Sequence, residues 1–215
     1  MGLAINVNTD YTSPMTQIKP TDAHHHGNLK EALVSYALSA ADQGVLSELS
    51  VRKAARDLGV SPGAAYRHFP DKDALMRTVA ARGFDALADA FEKAVPFEST
   101  VQSAGEARRR FARLAMAYTE FARTRTELRR LMFGPLGLAP TSKLDRPSTY
   151  DWLAKCLAEL AEFGIIGEPQ AEHQLFAWSA IHGLSDLQSS PAIGGQSSET
   201  SVERQCALVI NALAV

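Results

Sequence analysis

From Leu29 onward, apolar residues recur every three or four positions. Leu29, Ala32, Leu33, Tyr36, Ala37 and Ala40 share one helical face behind Asn28, a good N-cap, and Gly44 closes the run. A shorter stripe of Val51, Ala54, Ala55 and Leu58 starts behind Ser50 and ends at Gly59. Ser61-Pro62 opens a third helix, with serine as cap and proline at the first helical position, where no N–H is needed. Pro70 stops it. Asp71 then caps a long fourth helix that turns Leu75, Val79, Phe84, Leu87 and Phe91 inward and runs to about Val95. After a break at Pro96-Phe97-Glu98-Ser99, the periodicity predicts helices over roughly 102–124, 125–133, 148–164, 168–188 and 199–213. The linkers 134–147 and 189–198 are rich in Gly, Pro and Ser. No segment alternates at period two, so the pattern predicts an all-α chain without a sheet.

Composition changes this picture little. The chain has 215 residues, enough for one compact body or two helical lobes, and an ordinary 46% of hydrophobic residues. Its net charge of −2 does not by itself advertise a nucleic-acid partner, so any DNA binding must come from a local arrangement of charge. Cys156 and Cys206 lie far apart in apolar helical patterns, which reads as reduced, packed thiols in a cytosolic protein rather than a disulfide or zinc framework. Residues 1–27, rich in Thr, Asn, Ser and Pro, read as a flexible arm without a signal-peptide core. No apolar run approaches the length of a membrane span, so a soluble, cytoplasmic protein with no membrane partner is expected.

The chemistry concentrates between Ser50 and Leu75. Two very short helices flank Gly59-Val60-Ser61, a turn that sets them near a right angle. That arrangement lets the second helix lie in a DNA major groove while the first crosses the backbone. Around it stand Tyr66, Arg67, His68 and Lys72, all able to donate to phosphate oxygens. Lys72 also sits in the first turn of the fourth helix, where ammonium and helix dipole can act on one phosphate.

The run Leu58-Gly-Val-Ser-Pro-Gly-Ala-Ala-Tyr-Arg-His-Phe-Pro-Asp-Lys-Asp-Ala-Leu75 resembles the recognition-helix signature of the tetracycline-repressor (TetR) family of transcriptional regulators. The resemblance implies a three-helix helix-turn-helix DNA-binding domain over 28–75 and a larger helical effector-binding and dimerisation domain over 76–215. It places Ser50 and Arg52 at phosphate and groove edge, Pro62, Gly63 and Ala64 against base edges, and Tyr66, His68 and Lys72 on the DNA backbone. Gly63 and Ala64 carry no side-chain donor. Arg52 and Arg67 are therefore the candidates for guanine readout, and DNA shape and half-site spacing should carry much of the specificity.

Farther on, Phe176-Ala-Trp178-Ser-Ala-Ile-His182-Gly183-Leu-Ser-Asp-Leu187 resembles the Trp-His-Gly (WHG) signature of a subgroup of TetR ligand-binding domains. Trp178 and His182, four apart, share a helix face. They line either an effector pocket or a core or dimer contact, with Gly183 permitting close helix approach. Phe111, Met116, Tyr118, Phe121 and Met132 would suit an apolar cavity, or plain core.

By family resemblance, helices 168–188 and 199–213 pair with those of a second subunit, so that a homodimer meets a palindromic double-stranded operator. Leu175, Trp178, Ile181 and His182, then Val202, Cys206, Val209 and Leu213, read as the stripes awaiting that partner. A repressor released by a small, mostly apolar effector is the implied function.

Residues 108–130 hold eight arginines against two glutamates. Either Arg123, Arg125, Arg129 and Arg130 return toward the DNA, or the arginines form a solvated, locally paired face. His24-His25-His26 lacks partners for a metal, His173 lacks the second histidine of a zinc-protease helix, and Gly194-Gly195 reads as a loop. No nucleophile setting is recognisable, so no catalytic residue, metal or cofactor is expected. A helical protein-interaction module and an enzyme built in the C-terminal cavity remain the alternatives.

Overall fold

The computed structural model describes residues 28–137, 146–188 and 199–214, and every helix or strand element among them is helical. In chain order these are α1 (Leu29–Asp42), α2 (Val51–Asp57), α3 (Pro62–Tyr66), α4 (Lys72–Ala94), α5 (Ala104–Thr124), α6 (Thr126–Met132), α7 (Thr149–Glu162), α8 (Ala171–Gln188) and α9 (Glu199–Leu213). A single 3-10 turn, Leu46–Glu48, leads from α1 toward α2 and has no counterpart in the apolar pattern. The expected arm 1–27 with its histidines, the 189–198 linker with Gly194-Gly195, and residues 138–145 of the 134–147 linker lie outside the described residues.

The helix boundaries follow from their caps. A helix N-terminus leaves N–H groups without partners, and a short side-chain oxygen takes one of them. Ser50 Oγ accepts from Lys53 N–H at 3.0 Å, Ser61 Oγ from Ala64 at 3.2 Å, and Asp71 Oδ1 from Ala74 at 2.7 Å. Ser148 and Asp151 form a reciprocal capping box at the start of α7. Gly44 and Gly59 follow the ends of α1 and α2 at φ of +75° and +71°, a region where a β-carbon is strained.

α1, α2 and α3 close over a small core of Leu33, Ala37, Val51, Ala54, Ala65 and Phe69, all buried. α4 continues that core through Leu75 and Val79, then enters the second half through Leu87 and Phe91. There α5 is central, packed against α4, α7, α8 and α9. Where α4 meets α6, a β-carbon at Gly83 would stand 2.6 Å from Met132 Sδ, 2.7 Å from Met132 Cγ and 3.1 Å from Leu128 Cδ1. The closeness of α4 and α6 thus depends on one missing methyl group. At Gly183, expected to permit such an approach, a β-carbon would meet nothing within 4 Å among the described residues.

Two sequence readings need correction. Ile181, Val202, Cys206, Val209 and Leu213 are buried within the single chain, where α8 and α9 pack on α5 and on each other. Most of the stripes expected to await a second subunit are already filled. Leu175, a member of those stripes, does stay in water, and the other large exposed apolar side chains among the described residues of α8 and α9 are Phe176, Leu187 and Leu208. The arginine-rich segment is likewise neither a uniform basic face nor a wholly solvated one. Arg110 is 3% exposed, pairs its Nε with Glu159 at 3.1 Å, and donates to the carbonyls of Pro96 and Ser99, which fixes the break between α4 and α5. Helical periodicity gives no warning of this, because a buried arginine is tolerated only where distant residues supply its partners.

Candidate nucleic-acid interface and effector cavity

α3 divides cleanly into two sides. Ala65 and Phe69 point into the core, while Pro62, Gly63, Tyr66, Arg67 and His68 are exposed and Ala64 lies at the boundary. Ser50 and Arg52, at the start of α2, are exposed as well. Tyr66 keeps 44% of its surface in water, although burying such a ring is worth on the order of 2 kcal/mol. Arg52 and Arg67 have no ion-pair partner among the described residues. Lys72 is the exception to this openness: its Nζ donates to the Ser47 carbonyl at 2.9 Å, which ties α4 to the 3-10 turn. An ammonium has three donors, so two stay available.

The frame beneath is braced by a polar cluster that the apolar pattern could not show. Tyr36 of α1 donates its hydroxyl to Asp57 Oδ2 at 2.5 Å, and Lys53 Nζ reaches the same oxygen at 2.9 Å. The Tyr36 hydroxyl, and after it the Lys53 ammonium, hold the Asp57 carboxyl below the usual aspartate range. Lys53 is thereby engaged in joining α1 to α2.

α6 connects this unit to the second half of the chain. The Leu46 N–H donates to Glu127 Oε2 at 3.0 Å, and Arg125 Nε stands 3.9 Å from Asp42 at the end of α1. The end of α5 does run back to α1, but its arginines are spoken for differently. Arg123 pairs with Glu120 at 2.7 Å, Arg130 is exposed, and Arg129 is buried and paired with Asp186 of α8 at 2.6 Å.

Between α4, α5, α7 and α8 lies a cavity of about 350 Å³, counted with its mouth. Phe111, Tyr118, Trp178 and His182 line it, with Phe91, Leu114, Leu153 and Ile181 among the others. Met116, Phe121 and Met132 do not. On α5 the cavity takes the face repeated by 111, 115 and 118, whereas 116 and 121 fall on other sides of the helix. Phe121 stacks beneath the Arg125 guanidinium at 5.8 Å, and Met132 fills the space left by Gly83. Phe133 and Tyr150, which the sequence reading did not single out, pack on Trp178 with ring centroids 5.6 and 5.3 Å away. Phe133, just past the end of α6, also meets the His182 ring edge-on at 4.8 Å.

The polar feature of the cavity wall is the Tyr118 hydroxyl, 2.5 Å from His182 Nδ1. Burial first, and then Arg129, push the histidine toward its neutral form; burial pushes the Tyr118 phenol far up. A neutral ring that accepts the phenolic hydrogen at Nδ1 carries its own proton on Nε2. Cys156 and Cys206 are free and buried, and burial pushes each thiol up to about 12, the range of inert packing groups. Among the described residues no group of His, Cys, Asp or Glu is placed to hold a metal ion. No described helix is long and apolar enough to cross a membrane.

Residues 40–79, from the second half of α1 into α4, match the family model described as bacterial regulatory proteins, tetR family. A search of the curated proteins returns no match. Among solved structures, the chain is similar to a protein of unknown function from Rhodococcus sp. RHA1. The two share 30% identity at a TM-score of 0.69, over 91% of this chain and all of that one. PfmR, a TetR-family transcriptional regulator from Thermus thermophilus, shares the fold at 19% identity and a TM-score of 0.57, over 84% of this chain and 95% of its own. A TetR-family transcriptional regulator from Haemophilus influenzae does so at 17% identity and a TM-score of 0.58, over 86% and 98%.

Proposed function

We propose that the chain, whose residues 40–79 match the tetR family of bacterial regulatory proteins, is a repressor that binds a palindromic operator as a homodimer and lets go when a small effector enters its cavity. The observation that carries the DNA-binding part is the two-sided α3. Its inner side is core, and its outer side, with the start of α2 and α4, gathers Ser50, Arg52, Tyr66, Arg67, His68 and Lys72 around the donor-free Pro62, Gly63 and Ala64. In this reading Tyr66, His68, Lys72 and Ser50 hold phosphates, Arg52 and Arg67 read guanine, and Gly63 and Ala64 allow close approach to bases. Residues 28–75 then form the DNA-binding unit and 76–215 the regulatory and dimerising one.

The exposed Leu175, Phe176, Leu187 and Leu208 supply the surface for a second copy, and the open Gly183 face between Leu175 and Leu187 lets two α8 helices come close. α6 is suited to couple cavity to DNA. Phe133 at its end touches His182, Glu127 in its first turn holds the Leu46 N–H, and Ser47 beside it holds Lys72. An effector that displaces Phe133 therefore disturbs the phosphate-binding end of α4, with a coupling of roughly 1–3 kcal/mol typical of such switches.

Selection of bound duplexes from a random pool, followed by a salt titration, tests this reading. Palindromic winners are expected, with log K falling by about 0.9 per phosphate contact as log salt rises. Lys72→Ala should lower that slope by about one unit. Failure to bind any selected duplex at low salt removes the DNA-binding reading.

A further inference from the structure

Arg129 is 3% exposed, and burying a guanidinium costs several kcal/mol unless partners compensate it. Its ion pair is with Asp186, whose side chain is 63% exposed and therefore largely screened by water. Its Nε is buried and has no hydrogen-bond partner among the described residues. The pair leaves a positive charge in the protein interior only partly answered.

That charge lies beside the cavity's polar end. Asp186 follows His182 by one helical turn on α8, so the guanidinium that bonds it sits within about a turn of the imidazole. Tyr118 and His182, which form the polar part of the wall, both respond to it. At each of them the pull of Arg129 exceeds the opposing pull of Asp186. Of the two charges at this end, the buried guanidinium is the less screened by water. Elsewhere the wall consists of Phe91, Phe111, Leu114, Leu153 and similar apolar groups, and among the described residues no carboxylate lines the space.

We propose that the cavity takes a small organic anion, a single-ring carboxylic acid, with its ring among Phe91, Phe111 and Trp178 and its carboxylate at Tyr118 and His182 beside Arg129. The proposal rests on reading the cavity as the effector site. The space of about 350 Å³ includes solvent at its mouth, so the enclosed part is smaller than a usual ligand pocket, and a single ring that parts the surrounding side chains is the most it admits. An entering carboxylate takes the Tyr118 O–H as a charge-assisted hydrogen bond, stronger than the neutral one that Nδ1 gives up, and the vacated His182 Nδ1 takes up a proton from solvent beside the anion to become the second donor. The carboxylate also answers the buried guanidinium charge. An ammonium in the same place meets repulsion, and a neutral amide gains nothing from Arg129.

Calorimetric titration of the full chain with benzoate, phenylacetate and 3-phenylpropionate, each against its amide, and with phenethylamine, tests the charge class. At least one acid is expected to bind about tenfold or more tighter than its amide, with the amine weakest. Arg129→Gln should cost that acid about tenfold and leave the amide within about threefold. Because loss of a buried arginine can unfold the protein, Tyr118→Phe serves as the second variant, expected to weaken the acid by about threefold or more with unchanged helical circular dichroism. The proposal is overturned if no acid of the series binds, if an amide or the amine equals the best acid, or if neither folded variant affects the acid's affinity. An amide or amine that binds and releases operator DNA sinks the charge class alone and leaves the effector reading intact. An acid with the expected selectivity that leaves operator affinity unchanged sinks the effector reading alone.

Discussion

At the scale of single residues, the brace of Tyr36, Asp57 and Lys53 has a measurable pH signature. The Asp57 carboxyl is held below its ordinary range in the folded chain, first by the Tyr36 hydroxyl and then by Lys53. Its contribution to stability is therefore complete above the unfolded aspartate value of about 4 and disappears as pH falls through the lower folded value. Tyr36→Phe should cost about 1–2 kcal/mol in urea unfolding at about pH 7, as expected for a hydrogen bond to a charged group. The cost should shrink toward zero well below about pH 4, where the carboxylate is protonated; a pH-independent difference would mean that the tyrosine matters for packing alone. No one could have read this brace from the string of residues. Tyr36 and Asp57 are 21 positions apart, and their meeting depends on the crossing angle of α1 and α2. The outer residues of α3, by contrast, were legible, because Pro62, the Ser61 cap and the apolar Ala65 and Phe69 fix the phase of so short a helix.

At the scale of elements, the α4–α6 contact turns on Gly83. An alanine there drives its methyl group into Met132, and overpacking of this kind costs about 1–3 kcal/mol. About 1 kcal/mol returns through alanine's better helix propensity, so Gly83→Ala should lower stability by about 1 kcal/mol. The double variant Gly83→Ala with Met132→Ala should be less destabilised than the sum of the singles, since the second change clears the space the first one needs. Strict additivity would show that the two helices do not share this contact. Helix positions were readable because caps and apolar periods are local signals. Which helix faces which was not: Arg110 and Arg129 look like surface residues until Glu159 and Asp186 arrive from α7 and α8. The same holds for Phe133 and Tyr150, single aromatic residues whose packing on the cavity residue Trp178 follows from how the helices assemble.

At the scale of the whole molecule, the proposed homodimer rests on the apolar groups left in water. Leu175 and Leu208 are 59% and 63% exposed, and covering a leucine is worth roughly 1.5–3 kcal/mol. Leu175→Glu with Leu208→Glu should halve the mass measured by light scattering, keep the helical circular dichroism, and weaken operator binding steeply because two half-sites are no longer held together. An unchanged mass would place the interface elsewhere. The residues first expected here, such as Val202 and Cys206, show why the assignment needed a structure. An apolar stripe reports burial, and burial against one's own α5 reads the same as burial against a partner.

Gly63 stands at the outer side of α3, where an added β-carbon would touch nothing and no positive φ forbids one. A β-carbon can therefore be added there without a steric clash among the described residues. If α3 lies in a major groove, this position is where a lineage can acquire a new preference for one base in a single substitution. The rest of the chain would not need to readjust. A blank recognition surface on a stable frame is in this sense an evolutionary reserve: the protein can change which genes it answers to before it changes anything else about itself.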